Sequence, residues 1–208
     1  MYLSLLKLNP QSRRAMTEVS RPYELHRSIM TAFPNSRGNG LRRVLFRLDI
    51  DRKSGDIAVL VQSHDKPDWT AMNRAGDFLL EQPQCKSFEP PISSGMLFYF
   101  RLRANPSVKR NGKRLGIIKE EDQITWLKRK SKDGGFEVLS ITVVPEGMVH
   151  DGMTDQVGSR HNLSLLSVCF EGILRVIDSK TFREALEKGI GSAKGLGFGL
   201  LSIAPIRS

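Results

Sequence analysis

The sequence predicts an α+β chain made of two consecutive units of the same element order, and three observations carry that prediction. They are the alternation of strand-like and helical stretches, a proline-rich break near the middle, and a length of 208 residues, enough for two small cores. Apolar runs rich in β-formers fall at Tyr2 to Leu8, Val44 to Ile50, Ile57 to Gln62, Met96 to Arg103, Glu137 to Val144, Leu163 to Val176 and Leu200 to Ala204. Helical spacing covers Pro22 to Phe33, Ile124 to Lys132 and Lys180 to Lys188, with a weaker helical stretch over Thr70 to Leu80. The order is strand, helix, strand, strand, short helix, and then strand, helix, strand, a two-strand run broken at Glu171-Gly172, helix, strand. Two such runs are two ferredoxin-like (RRM-like) domains in tandem. The passage Phe88-Glu89-Pro90-Pro91-Ile92-Ser93-Ser94-Gly95 is the predicted linker, giving an N-terminal domain over 1–90 and a C-terminal domain over 95–208. The halves share element order and no visible sequence similarity.

The first helix starts at Pro22, a residue suited to the first helical position, with Glu24 in the first turn. Leu25, Ile29 and Phe33 form its inward stripe, while Tyr23 and His26, three apart, share another face. The last strong helix is followed by Gly189, a C-cap.

Composition excludes several classes. No apolar run approaches the roughly 18 residues of a membrane-spanning helix, and the start, Met1-Tyr2-Leu3-Ser4-Leu5-Leu6-Lys7, lacks the pattern of a secretory signal. A cytoplasmic protein with no membrane partner is expected. Cys85 and Cys169 are far apart and outside any zinc spacing, and His150, Asp151 and Asp155 fall near one another without the spacing of a structural metal site. Neither a metal nor a cofactor is expected. The 32 basic and 22 acidic residues give a formal charge of +10 and a pI near 9.9, a balance that favours a polyanionic partner.

RNA carries its own nucleophile, the 2′-hydroxyl, so cutting it requires only alignment, a proton mover and neutralisation of phosphate charge. On the first helix His26 titrates near neutrality and is the candidate proton mover; Tyr23 can hydrogen-bond the phosphate, and Arg27 can face its charge. A histidine on a helix is more often an ordinary surface residue, so the local pattern alone does not decide the matter. A second feature is the basic stretch from Arg101 to Arg114, read as a strand entering a turn-rich loop with Lys109, Arg110, Lys113 and Arg114 at its end. Beyond it, Lys128, Arg129 and Lys130 add cations to a helix whose Trp126 and Leu127 read as core. The third feature is the glycine-rich segment Gly189 to Ser202, which lies after a helix and before a strand and so fits neither common nucleotide-binding motif. Its backbone around Lys194, Gly195 and Gly197 can approach a polyanion closely, or the loop simply closes the second sheet.

Taken together, these features resemble the CasE family, the CRISPR-associated endoribonucleases of the subtype I-E Cascade complex. The likeness rests on Tyr23-x-x-His26, on Phe100-x-Leu102-x-Ala104-Asn105-Pro106 followed by Gly112-Lys113-Arg114, and on Gly189-x-Gly191-x-x-Lys194-Gly195-x-Gly197-x-Gly199-Leu200-Leu201-Ser202. The opening Leu6-x-Leu8-Asn9-Pro10 and Val61-Gln62-Ser63-x-x-x-Pro67-Asp68-Trp69 fit as well. The resemblance implies a tandem ferredoxin-like fold and cleavage at the 3′ base of a CRISPR repeat stem-loop in precursor RNA. It further implies metal-independent 2′-hydroxyl attack, cyclic phosphate formation, and retention of the product among other Cascade subunits. By position it implies catalytic roles for His26 and Tyr23 and RNA contacts by Arg27, Lys113, Arg114 and the glycine-rich segment around Lys194, Gly195 and Gly197; Lys109 and Arg110 of the basic loop and Arg160 of the later connection are the further candidate RNA-binding cations. In some relatives a strongly basic hairpin joins the later strands; here Met148 to Asn162 offers only Arg160 and two histidines. The alternative function is a non-catalytic RNA-binding assembly subunit of a ribonucleoprotein.

Overall fold

A computed structural model describes residues 1–34, 43–73, 76–154 and 160–206. It is an α+β chain with two four-stranded antiparallel sheets, each the core of a ferredoxin-like domain. The strands are β1 (Tyr2–Leu8), β2 (Leu45–Ile50), β3 (Ile57–Ser63), β4 (Gln84–Ser87), β5 (Leu97–Ala104), β6 (Ser107–Arg110), β7 (Lys113–Gly116), β8 (Phe136–Thr154), β9 (Arg160–Val176) and β10 (Leu201–Pro205). The helices are α1 (Arg13–Val19), α2 (Pro22–Met30), α3 (Glu120–Asp133) and α4 (Ser179–Lys188). The first sheet runs β2-β3-β1-β4 and the second β10-β5-β9-β8, so both have the same strand permutation despite their unrelated sequences.

Contacts divide the chain into two compact units. The first contains Met1–Glu89 together with His150–Leu163 and Gly195–Gly197; the second contains Pro90–Val149, Ser164–Lys194 and Phe198–Ser208. In the first, alternate residues of the sheet (Leu6, Leu8, Phe46, Val59, Val61) pack with Leu25 and Ile29 from α2. In the second, Phe98, Phe100, Leu102, Phe170 and Leu174 of the sheet pack with Trp126 and Leu127 of α3 and Phe182 and Leu186 of α4. Seventeen basic and ten acidic residues belong to the second unit, so it carries +7 of the formal +10.

Several expectations need correction. The described residues of the stretch Thr70 to Leu80 do not form the expected helix. Among them the helical element is a 3₁₀ turn at Trp69–Ala71, started by the Asp68 side chain accepting from the Thr70 N–H. The chain then turns: the Asn73 side chain accepts the Leu79 N–H, and Leu79 bridges back to Leu8. The first helix ends at Met30, short of Phe33. The run from Leu163 is not broken at Glu171-Gly172 but continues as β9, where Gly172 lies so close to the Ser140 carbonyl that any Cβ there would collide with it. β8 extends ten residues past Val144, to Thr154. The cationic loop after β5 is a two-stranded hairpin, β6 and β7, turned at Asn111-Gly112 with φ of 48° and 76°, the left-handed pair that a tight hairpin needs. Two further elements had no expectation: α1, capped by the Ser12 side chain accepting from the Ala15 N–H, and the wholly exposed β4, which pairs with β1 and completes the first sheet.

Candidate active site

The face of α2 that turns from the core carries the predicted pair. Pro22 occupies the first turn, where no N–H is required, and Leu25 and Ile29 bury the opposite stripe, leaving Tyr23 and His26 half-buried. The His26 ring stacks nearly parallel to Phe46 of β2, with centroids 6.1 Å apart and planes 16° apart. Its Nε2 points to the glycine loop: a methyl group on Gly195 would sit 3.7 Å from that nitrogen. Gly197, with φ of 83°, brings the backbone so near Phe46 that a Cβ would lie 3.0 Å from the ring. Glycine at 195 and 197 therefore leaves room around an imidazole held between an aromatic face and a backbone segment.

Burial removes water that would solvate an imidazolium and so lowers the His26 pKa below its ordinary value of 6.5. Burial thus favours the neutral ring. Its Nδ1 is buried with no hydrogen-bond partner among the described residues. Folding stability carries the same sign: below pH 6.5 the unfolded chain binds this proton more readily than the folded one, so His26 lowers stability as pH falls from 6.5 toward its folded-state value.

The remaining predicted residues are distributed. Arg27 is mostly exposed and its guanidinium pairs with Glu24 at 2.9 Å. Lys109 lies directly across from Arg114 in the β6–β7 register, and Arg110 across from Lys113. The side chains of Lys113 and Arg160 lie outside the described residues. Within the second unit, Arg114 and Lys194 line one groove of about 740 Å³ with Arg129, Lys130 and Lys188. Arg129 and Lys130 were legible as helix cations, but nothing in the sequence placed Lys188 beside them. The glycine loop is anchored by its own apolar residues: Phe198 and Leu200 are buried, and the Gly199 N–H donates to the Arg103 carbonyl.

Asp151 was overlooked except as a loose metal ligand. Its carboxylate instead accepts the Tyr23 backbone N–H at 2.6 Å. Among the described residues no three His, Cys, Asp or Glu side chains converge as metal ligands, and no described helix is long and apolar enough to cross a membrane.

Comparison with known proteins bears on what this geometry does. Residues 1–205 match the protein family described as CRISPR associated protein. The chain belongs to the Cse3/CasE family. It is 34% identical to the CRISPR-associated endoribonuclease Cse3 of Thermus thermophilus over 99% of its own length and 100% of that protein. It is 33% identical to the CRISPR system Cascade subunit CasE of Escherichia coli, covering 88% of this chain and 92% of the relative. Its fold is similar to that of CRISPR endoribonuclease Cse3 solved with a 19 nt RNA, with a TM-score of 0.88, 33% identity, and coverage of 99% of this chain and 100% of the other.

Proposed function

We propose that this Cse3/CasE family member is a metal-independent endoribonuclease that cuts CRISPR repeat stem-loops in precursor RNA and keeps its product within a Cascade complex, in the cytoplasm. The observation that carries the reading is His26: a half-buried imidazole stacked on Phe46 with Nε2 turned toward Gly195. The family relationship supports RNA as substrate, since one relative bears the name endoribonuclease and another is a Cascade subunit.

In this reading the domain over 1–90 carries the chemistry and the domain over 95–208 most of the grip. His26 Nε2 takes the proton from the 2′-hydroxyl, whose oxygen attacks the adjacent phosphorus. The bond from phosphorus to the 5′-oxygen breaks, that oxygen takes a proton from solvent water, His26 returns its proton to solvent, and the products are a 2′,3′-cyclic phosphate and a 5′-hydroxyl. Tyr23 donates to the phosphate and Arg27 adds charge from the last turn of the same helix. Lys109, Arg110, Lys113, Arg114, Arg160 and Lys194 hold the stem through its backbone, and the Gly195 and Gly197 backbone lets the strand pass close to the imidazole. Arg129, Lys130 and Lys188 share a groove with Arg114 and Lys194.

The test is incubation of purified protein with cognate repeat RNA in EDTA and analysis of the product ends. Cleavage with a cyclic phosphate and a 5′-hydroxyl is expected. Tight binding without scission would instead favour the assembly-subunit reading. Gly197→Ala gives a narrower check on the loop. A β-carbon at φ of 83° and 3.0 Å from Phe46 strains the backbone by about 1–3 kcal/mol and displaces the ring that backs His26. Both melting temperature and cleavage rate are expected to fall, measured by thermal unfolding and single-turnover kinetics.

A further inference from the structure

The helix that presents Tyr23 and His26 has no cap of its own. Its N-cap residue, Arg21, makes no side-chain cap hydrogen bond, and Pro22 next to it has no N–H. By contrast, α1 and α4 are capped from within their own turns, by Ser12 accepting from the Ala15 N–H and Asp178 accepting from the Thr181 N–H. The first available donor of α2, the Tyr23 N–H, is taken by Asp151 Oδ2 at 2.6 Å, from 128 positions further along the chain. Asp151 lies near the end of β8, in the His150–Leu163 segment that packs with the first unit, and is 8% exposed. A carboxylate so buried persists only where it is hydrogen-bonded or paired. The helix N-terminus supplies both a donor and the positive end of the backbone dipole.

We propose that Asp151 is the positioning residue for this site: its carboxylate fixes the first turn of α2 and so sets where Tyr23 and His26 stand. The inference rests on the reading of His26 as proton mover. Asp151 does not touch the reacting atoms in this account. It replaces a local cap with one supplied by a distant strand, so the placement of the imidazole depends on β8 being correctly seated. Small displacements of a reacting group carry large rate penalties, on the order of 10²-fold for about 1 Å. Loss of the carboxylate therefore falls on the chemical step and not on RNA affinity.

The test compares wild type, Asp151→Ala, Asp151→Asn and His26→Ala on one repeat hairpin in EDTA, reading single-turnover cleavage and equilibrium binding separately. Asp151→Ala is expected to slow cleavage by roughly 10- to 100-fold while the dissociation constant changes by no more than a few-fold. Asp151→Asn, whose side-chain oxygen still accepts from Tyr23, is expected to recover most of the rate. Unchanged cleavage by Asp151→Ala overturns the proposal. So does faster cleavage with tighter binding, which would make the carboxylate an obstacle to phosphate. Loss of rate and affinity in parallel with a collapse in thermal stability would mark a general structural role and overturn it too. Should the alanine variant fail to fold, the asparagine variant decides: cleavage retained supports the hydrogen-bond role, and cleavage lost in a folded protein refutes it. If His26→Ala itself cuts at the wild-type rate, the reading of His26 has failed, whatever the Asp151 variants do.

Discussion

His26→Ala is expected to abolish detectable RNA cleavage while leaving hairpin affinity within a few-fold of wild type. General acid–base groups contribute about 10²–10⁴-fold to a rate, which is roughly 3–5 kcal/mol of barrier, and α2 itself carries no second histidine. Affinity is spared because the second unit, with +7 of the formal charge, supplies most of the backbone contacts in this account. Phe46 loses a stacking neighbour, so a modest fall in melting temperature accompanies the loss. Gel-resolved single-turnover cleavage beside filter binding measures both quantities. Cleavage retained in the variant would remove His26 from the mechanism.

The second large effect is chemical and lies in the substrate. Replacing the nucleotide upstream of the scissile phosphate by its 2′-deoxy counterpart removes the nucleophile itself. The expected result is complete loss of cleavage with binding nearly unchanged, because a stem read through shape and backbone loses one hydroxyl among many contacts. The wild-type protein with modified and unmodified RNA, assayed side by side in EDTA, gives the comparison. Scission of the deoxy substrate would require an external nucleophile, and the assignment of proton transfers to His26 would have to be rebuilt.

The legible parts of this protein are those whose signals are local. Strands such as β1 and β5 bury alternate residues against one core, and alternation is visible in the chain. Pro22 and Glu24 mark the start of α2 in the sequence, and the three-residue spacing of Tyr23 and His26 places them on one helix face. Other parts had no such signal. β4 is exposed throughout, so its membership of the first sheet comes from backbone pairing to β1 and leaves no hydrophobic trace. The hairpin of β6 and β7 looked like a loop because its cations hide the strand pattern, although Asn111-Gly112 is the turn signal that could have revealed it. Thr70 to Leu80 showed the opposite error, helical spacing overridden by side-chain hydrogen bonds from Asp68 and Asn73. Asp151 was invisible for a further reason: its role exists only through a contact 128 residues away. The stacking of His26 on Phe46 and the nearness of Gly195 are tertiary facts of the same kind.

The central claim is that the half-buried His26 imidazole moves the proton, and the pH dependence of single-turnover kcat/KM tests it most directly. This ratio reports ionisations of the free enzyme, where burial holds the His26 pKa below 6.5. The predicted profile rises with pH through a single ionisation below 6.5 and is level at neutrality, and that ionisation is absent from any residual activity of His26→Ala. A rate that climbs steadily through neutrality in proportion to hydroxide, with no ionisation below 6.5, would contradict the account.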